Sequence, residues 1–186
     1  TTGATRVAEV APPEWSTAVI VLGADGEARA DLVSTVAAMV GGSVVHVQQL
    51  ATEEAATESA LGVQLRELIS HGKIVPAAML QRVALQAMER LPAPHLLLEF
   101  PRAPTQLQQL EAASGRVACA LALPGEEERV LLPLLKRLRG EERLTPLSSW
   151  DASEAASALV AAGAAKEARP VPAPASAPPA APPLAP

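Results

Sequence analysis

Residues able to do chemistry gather where an apolar, β-branched run gives way to glycine. Residues 22–32 read Leu-Gly-Ala-Asp-Gly-Glu-Ala-Arg-Ala-Asp-Leu. A loop of this kind cradles phosphates when its glycines let backbone N–H groups turn inward. A lysine then neutralises the β and γ charge, and a Ser or Thr hydroxyl holds magnesium. Gly23 and Gly26 are present, and Arg29 stands where the lysine would be. Arginine is longer and planar, so it does not replace a point charge in a tight loop conservatively. Asp25, Glu27 and Asp31 add carboxylates to the same stretch, and like charges repel a phosphate at that range. Alone, a strand–glycine–helix turn is a weak signal, as often a plain chain reversal.

Other reactive side chains are scattered. His46, His71 and His95 fall on different elements without the paired spacing of a metal site, so strand-end or surface histidines are expected. Cys119 lies among apolar neighbours and reads as a small core residue rather than a nucleophile. As the one cysteine of the chain, it excludes an internal disulfide and a thiolate metal cluster. Glu126, Glu127 and Glu128 read as the solvated first turn of a helix, where negative charge favours the dipole. Trp15 and Trp150 lie outside the main elements and fit either a cover for the sheet edge or a partner's anchor.

The elements that must position these residues alternate between strand and helix. Residues 17–22 (Thr-Ala-Val-Ile-Val-Leu) read as a strand buried on both faces, as in a parallel sheet. Residues 29–40 have helical spacing and stop at Gly41-Gly42. A second strand is expected over 43–47. One or two helices follow over 52–71, with Leu61, Leu65, Leu68 and Ile69 on one side. Pro76 is expected in the first turn of a helix running to about Arg90. Further strands are expected over 95–100, 116–123 and 143–147, with helices over 104–113, 125–139 and, capped by Asp151, 152–165. The alternation predicts an α/β, three-layer fold around a mostly parallel five-stranded sheet.

The chain has 186 residues, enough for one domain with a core. Although 49% of its residues are apolar and mean hydropathy is +0.20, no run approaches the ~20 apolar residues of a membrane span. With no tyrosine and one phenylalanine, the core must be aliphatic. A net charge of −5 without a basic cluster offers nothing to a nucleic acid. The expected organisation is an N-terminal extension (1–16), a folded domain (17–165) and an extended tail (166–186). From Arg169 to Pro186 the tail is almost only proline and alanine, too poor in buriable surface to fold alone. It reads as a linker or as a segment that docks on a partner. The start at Thr1-Thr2-Gly3 rather than methionine fits a processed form or a piece of something longer.

Residues 62–76, Gly-Val-Gln-Leu-Arg-Glu-Leu-Ile-Ser-His-Gly-Lys-Ile-Val-Pro, resemble the adenylate kinase stretch that ends in Gly-x-Leu-Val-Pro. Leu98-Glu99-Phe100-Pro101-Arg102, followed by Gln106, resembles that family's Asp-Gly-Tyr/Phe-Pro-Arg-x-x-x-Gln motif. Residues 46–52 fall on its Ser-Thr-Gly-Asp-Leu-Leu-Arg element. The resemblance runs from about Thr17 to about Gly163.

What the resemblance implies lies in its departures. Arg29 replaces the phosphate-loop lysine. Val47 and Thr52 stand where a threonine and an arginine grip AMP, and Leu98 where an aspartate helps to hold magnesium. Glu99 takes the place of the following glycine and puts another carboxylate near the phosphate path. Lys136-Arg137-Leu138-Arg139-Gly140 runs within a few residues into 144–150, which resembles the last strand and leaves no room for the lid and its arginines. Val75 could lie under an AMP base, Arg102 pair its phosphate and Gln106 face adenine; equally, Arg102 caps or salt-bridges its loop and Gln106 starts a helix. The expectation is a degenerate member with no catalytic residues, no cofactor and no metal, kept as a structural or scaffolding subunit among other proteins. Axonemes and mitochondrial complexes are the settings the resemblance suggests. An AMP-type sensor without turnover, or a residual kinase using Arg29, are the alternatives.

Overall fold

A computed structural model describes residues 17–23, 26–125, 129–166 and 168. The strands are β1 (Ala18–Leu22), β2 (Ser43–His46), β3 (His95–Leu98), β4 (Cys119–Ala122) and β5 (Leu144–Pro146). They form one sheet in the order β2-β3-β1-β4-β5, every pairing parallel. Val19 at the centre lies opposite Leu96 of β3 and Cys119 of β4. All five residues of β1 are buried, as a strand covered on both faces requires.

Helices are α1 (Glu27–Val40), α2 (Val47–Ala55), α3 (Ala60–Ser70), α4 (Ala77–Arg90), α5 (Pro104–Ser114), α6 (Leu132–Gly140) and α7 (Ala152–Ala161). Side chains alternate along β1, so Ala18, Ile20 and Leu22 join α4, α5 and α6 in one core through Ala84, Met88, Leu107, Leu110, Leu134 and Leu138. Val19 and Val21 face the other way, toward Leu32, Val33 and Val36 of α1 and Ala155 and Leu159 of α7. A smaller cluster of Ala51, Ala55, Leu61, Leu65 and Val83 binds α2, α3 and α4. No helix among the described residues is long and apolar enough to cross a membrane.

Several boundaries differ from expectation for local reasons. The second strand stops at His46, and Val47 opens α2 because Val47, Ala51 and Ala55 bury one helical face. Pro76 is the cap before α4 rather than a residue of its first turn. On α3, Leu61 and Leu65 are buried whereas Ile69 is exposed. The third strand ends at Leu98, since Glu99 turns to φ 65°. Residues 129–131 form a 3-10 turn and α6 starts at Leu132 with Pro133 in its first turn. Deeper in an α-helix that proline would clash with the preceding turn and leave a carbonyl unbonded. The glutamates at 126–128, Trp15, the extension 1–16 and most of the tail lie outside the described residues. Trp150 is exposed.

Opposite charges fasten the α5, α6 and β5 side of the sheet. The Arg143 guanidinium, 6% exposed, bridges Glu111 and Glu141 and donates to the Val117 carbonyl at 2.9 Å. Arg137 holds Glu141 at 2.8 Å and the Pro104 carbonyl at 3.0 Å. Hydrogen bonds from Arg137 and then Arg143 hold the Glu141 carboxyl below its usual range. Burial opposes the charge on Arg143, but Glu111 and Glu141 outweigh it and raise its pKa.

At the start of α7, Asp151 caps the N–H groups of Ser153 and Glu154. Glu154 reaches back, accepting from the N–H and hydroxyl groups of Ser148 and Ser149 at 2.7–3.2 Å. The Ser148 N–H first, then the Ser149 and Ser148 hydroxyls, bring its pKa from 4.5 to about 2. A depressed carboxyl stabilises the fold above its ordinary pKa and loses that contribution as pH falls through the folded value. Thermal midpoints of Glu154→Gln should therefore decline less than wild type between pH 4.5 and 2, with the two acid limbs superimposing if the clamp contributes nothing.

Candidate functional site

In an open parallel sheet, ligands bind in the crevice beyond the carboxyl ends of the strands, where the strand order switches. Here β1 delivers Gly23, β3 delivers Glu99 and β2 delivers His46 to that edge. Gly23 is required by a close approach, because a Cβ there would lie 2.8 Å from the Leu123 Cβ. Gly26 precedes α1 as its N-cap, without a side-chain cap bond.

Arg29, on the first turn of α1, points inward and is 6% exposed. Its Nη2 lies 3.2 Å from Glu99 Oε1 and its Nη1 3.5 Å from the Gly23 carbonyl. The other Glu99 oxygen lies 3.3 Å from His46 Nδ1, within ion-pair reach but out of line for a hydrogen bond. Val21, Leu22, Pro101, Arg102 and Leu131 also line the pocket. Among the described residues the cavity left is about 10 Å³, room for about one water.

Glu27 and Asp31, expected in the phosphate path, are exposed to solvent and do not line this pocket; Asp25 lies outside the described residues. The carboxylate that enters is Glu99. Arg102 lines the Arg29 pocket, and its N–H donates to Gln106 Oε1 at 2.7 Å. That bond, from the Arg102 backbone to the Gln106 side chain, closes the loop onto the start of α5.

Val75 lies elsewhere, in a groove of about 250 Å³ with Gln48, Ala51, Thr52, Ile69, Ile74 and Leu80. Among the described residues no ionisable side chain lines it. The Thr52 hydroxyl donates to the Gln48 carbonyl of its own helix at 3.1 Å. Val47 and Leu98 are in the core, 0% and 1% exposed. The structure thus brings Gly23, Arg29 and Arg102 together and leaves Val75 apart. Three residues, 141–143, join α6 to β5, and Glu142 makes the turn at φ 55°.

Among the described residues no group of three metal-ligating side chains converges. His95 is buried, its Nε2 3.0 Å from the Leu91 carbonyl, and His71 is exposed with Nδ1 2.7 Å from the Glu67 carbonyl. Burial pushes the Cys119 thiol up to about 11. Sequence reasoning missed the meeting of His46 with Glu99. The signal available was that His46 ends one strand and Glu99 follows another, ends that a parallel sheet aligns.

An all-parallel five-stranded sheet between helical layers, with a glycine turn facing the end of β3, makes this an α/β domain of the three-layer, adenylate-kinase-like kind. Over 122 residues the chain is 27% identical to the protein described as "Probable adenylate kinase 6, chloroplastic" from Arabidopsis thaliana. The match covers 63% of this chain and 41% of that one, so the chain spans about two fifths of that relative's length. No family profile matches. The relation to adenylate kinases is a distant one over part of the chain.

Proposed function

We propose that this chain is a non-catalytic, adenylate-kinase-like structural subunit of a larger protein assembly, in a setting such as an axoneme or a mitochondrial complex. The observation that carries the reading is the connection of three residues between α6 and β5. Phosphoryl transfer depends on cations that surround the moving group and on the exclusion of water. A turn of that length supplies neither. Arg29, already paired with Glu99, supports the same reading, and the Pro/Ala tail is a docking segment for the neighbouring subunits.

The expected result of a coupled assay with ATP, AMP and magnesium is no turnover above buffer. Turnover that disappears in Arg29→Ala would make the chain a residual kinase. The groove beside Val75 favours a second reading, an AMP-type sensor without turnover. A rise in thermal midpoint with AMP would support it; an unmoved midpoint at millimolar AMP removes it. Proteins that co-purify with the native chain would identify the assembly.

A further inference from the structure

We propose that the open edge of β2 is a docking site for the chain's own residues 1–11, which add a strand antiparallel to it. The added strand closes the groove between α1 and α2 at that margin of the sheet. This contact is independent of any turnover at the β1 crevice.

The sheet ends in β5 on one side and β2 on the other, and the two edges differ in their guard. The Leu147 N–H donates to the Ala122 carbonyl at 2.8 Å, toward β4. Pro146 just before it therefore has its nitrogen on the outer side, where it offers no donor to a neighbour. β2 reads Ser-Val-Val-His, with no proline and no lysine to discourage pairing. The Ser43 N–H donates to the Pro94 carbonyl at 2.9 Å, toward β3, so the alternate N–H groups of Val44 and His46 face the edge. Among the described residues no strand lies beyond them. Beside them is a groove of about 320 Å³, lined by Ala30 and Ser34 of α1, Val44 and His46 of β2, and Gln49 and Leu50 of α2.

The Pro/Ala tail is unsuited to this edge. From Arg169 to Pro186 no more than three residues run without a proline, and each proline lacks the donor a ladder needs. Residues 1–11, Thr-Thr-Gly-Ala-Thr-Arg-Val-Ala-Glu-Val-Ala, contain none, and Thr5, Val7 and Val10 are of the β-branched kind that strands favour. Val7 and Val10 stand three apart, which puts one apolar side chain on each face of the added strand.

The point where this segment joins the domain is fixed. The Thr17 carbonyl accepts from the His95 N–H at 2.8 Å, at the end of the sheet where Ala18, His95 and Ser43 are in register. A strand beyond β2 would lie three spacings from β1, roughly 14 Å. Residues 12–16 can span up to roughly 20 Å, so the connection reaches. Entry at that end makes the added strand antiparallel to β2, an arrangement common at the edge of a parallel sheet. The connection crosses the turn between α4 and β3, where Leu91 is 38% exposed, and brings Pro12, Pro13 and Trp15 to cover it.

Nuclear magnetic resonance on the full chain tests the docking. In wild type, cross-strand contacts from residues 5–11 to Val44 and His46 are expected, unchanged on dilution. Val7→Pro combined with Ala8→Pro removes a donor from each side of the segment. The Val44 and His46 N–H groups should then exchange with solvent at least about tenfold faster, while Ser43 and Val45 keep their rates. Val7→Thr combined with Ala8→Thr should keep the wild-type rates. Equal rates at Val44 and His46 in wild type and the proline variant, fast or slow, overturn the proposal. Protection that grows with protein concentration assigns the edge to a second copy and overturns it too. Should the proline variant also loosen Ser43 and Val45, the wild-type contacts decide: their presence supports the docking and their absence overturns it.

Discussion

Arg143→Ala should lower stability by about 3–5 kcal/mol, the cost of removing one partner from a buried ion pair, and the midpoint by about 10 °C. The guanidinium is 6% exposed and its partner Glu111 16%, so truncation leaves a carboxylate facing protein instead of water. Glu111 keeps the Val117 N–H at 3.1 Å and Arg137 at 3.8 Å, which is too little to replace a direct pair. Glu141 is 33% exposed, so solvent screens its arm and the Glu111 arm dominates. Arg143→Lys should recover only part of the loss, because one ammonium cannot span two carboxylates. Arg143→Ala combined with Glu111→Leu should be more stable than Arg143→Ala alone. Denaturant titration checks all three, and a loss below about 1 kcal/mol for Arg143→Ala would place the network among solvated surface pairs.

Phe100→Ala is the second large effect, about 3–5 kcal/mol for a buried phenylalanine. Phe100 is the one phenylalanine of the chain, 1% exposed, in the core that joins β1 to α4, α5 and α6. It also follows Glu99 directly, so its ring anchors the loop that presents Glu99 on one side and Arg102 on the other. Phe100→Leu should cost less, since most of the volume remains. A Phe100→Ala chain that melts within 2 °C of wild type would show that neighbouring leucines close over the site.

Much of the fold could be read from residue patterns. The run at 17–22 is apolar at every buried position because a central parallel strand has no wet face, and that signal needs no tertiary information. Val47 misled because a β-branched residue after Val44-Val45 looks like more strand, while its helical partners Ala51 and Ala55 carry little hydrophobic contrast. Pro133 does mark where α6 can begin, by the ring's clash with the turn before it.

The crevice was only half legible. Gly23, Gly26 and Arg29 could be placed at the end of a strand, and the resemblance put the Glu99 carboxylate near the phosphate path, but its pairing with Arg29 was not in the sequence. Exposed Glu27 and Asp31 are neighbours of Arg29 in sequence and not in the pocket. Glu99, seventy positions away, meets Arg29 because β3 and β1 are adjacent and in register. Strand order is a long-range property that no local window contains.

Cys119 gives the molecule its own internal gauge of opening. Its thiol is 2% exposed, in register with Val19 on the middle strand, and protonated at neutral pH with a pKa of about 11. A thiol-specific dye can react only after β4 parts from the layer of α1 and α7 around it. Since the sequence contains one cysteine, the speed of dye uptake counts how often that helical layer lifts from the sheet, with no engineered label needed.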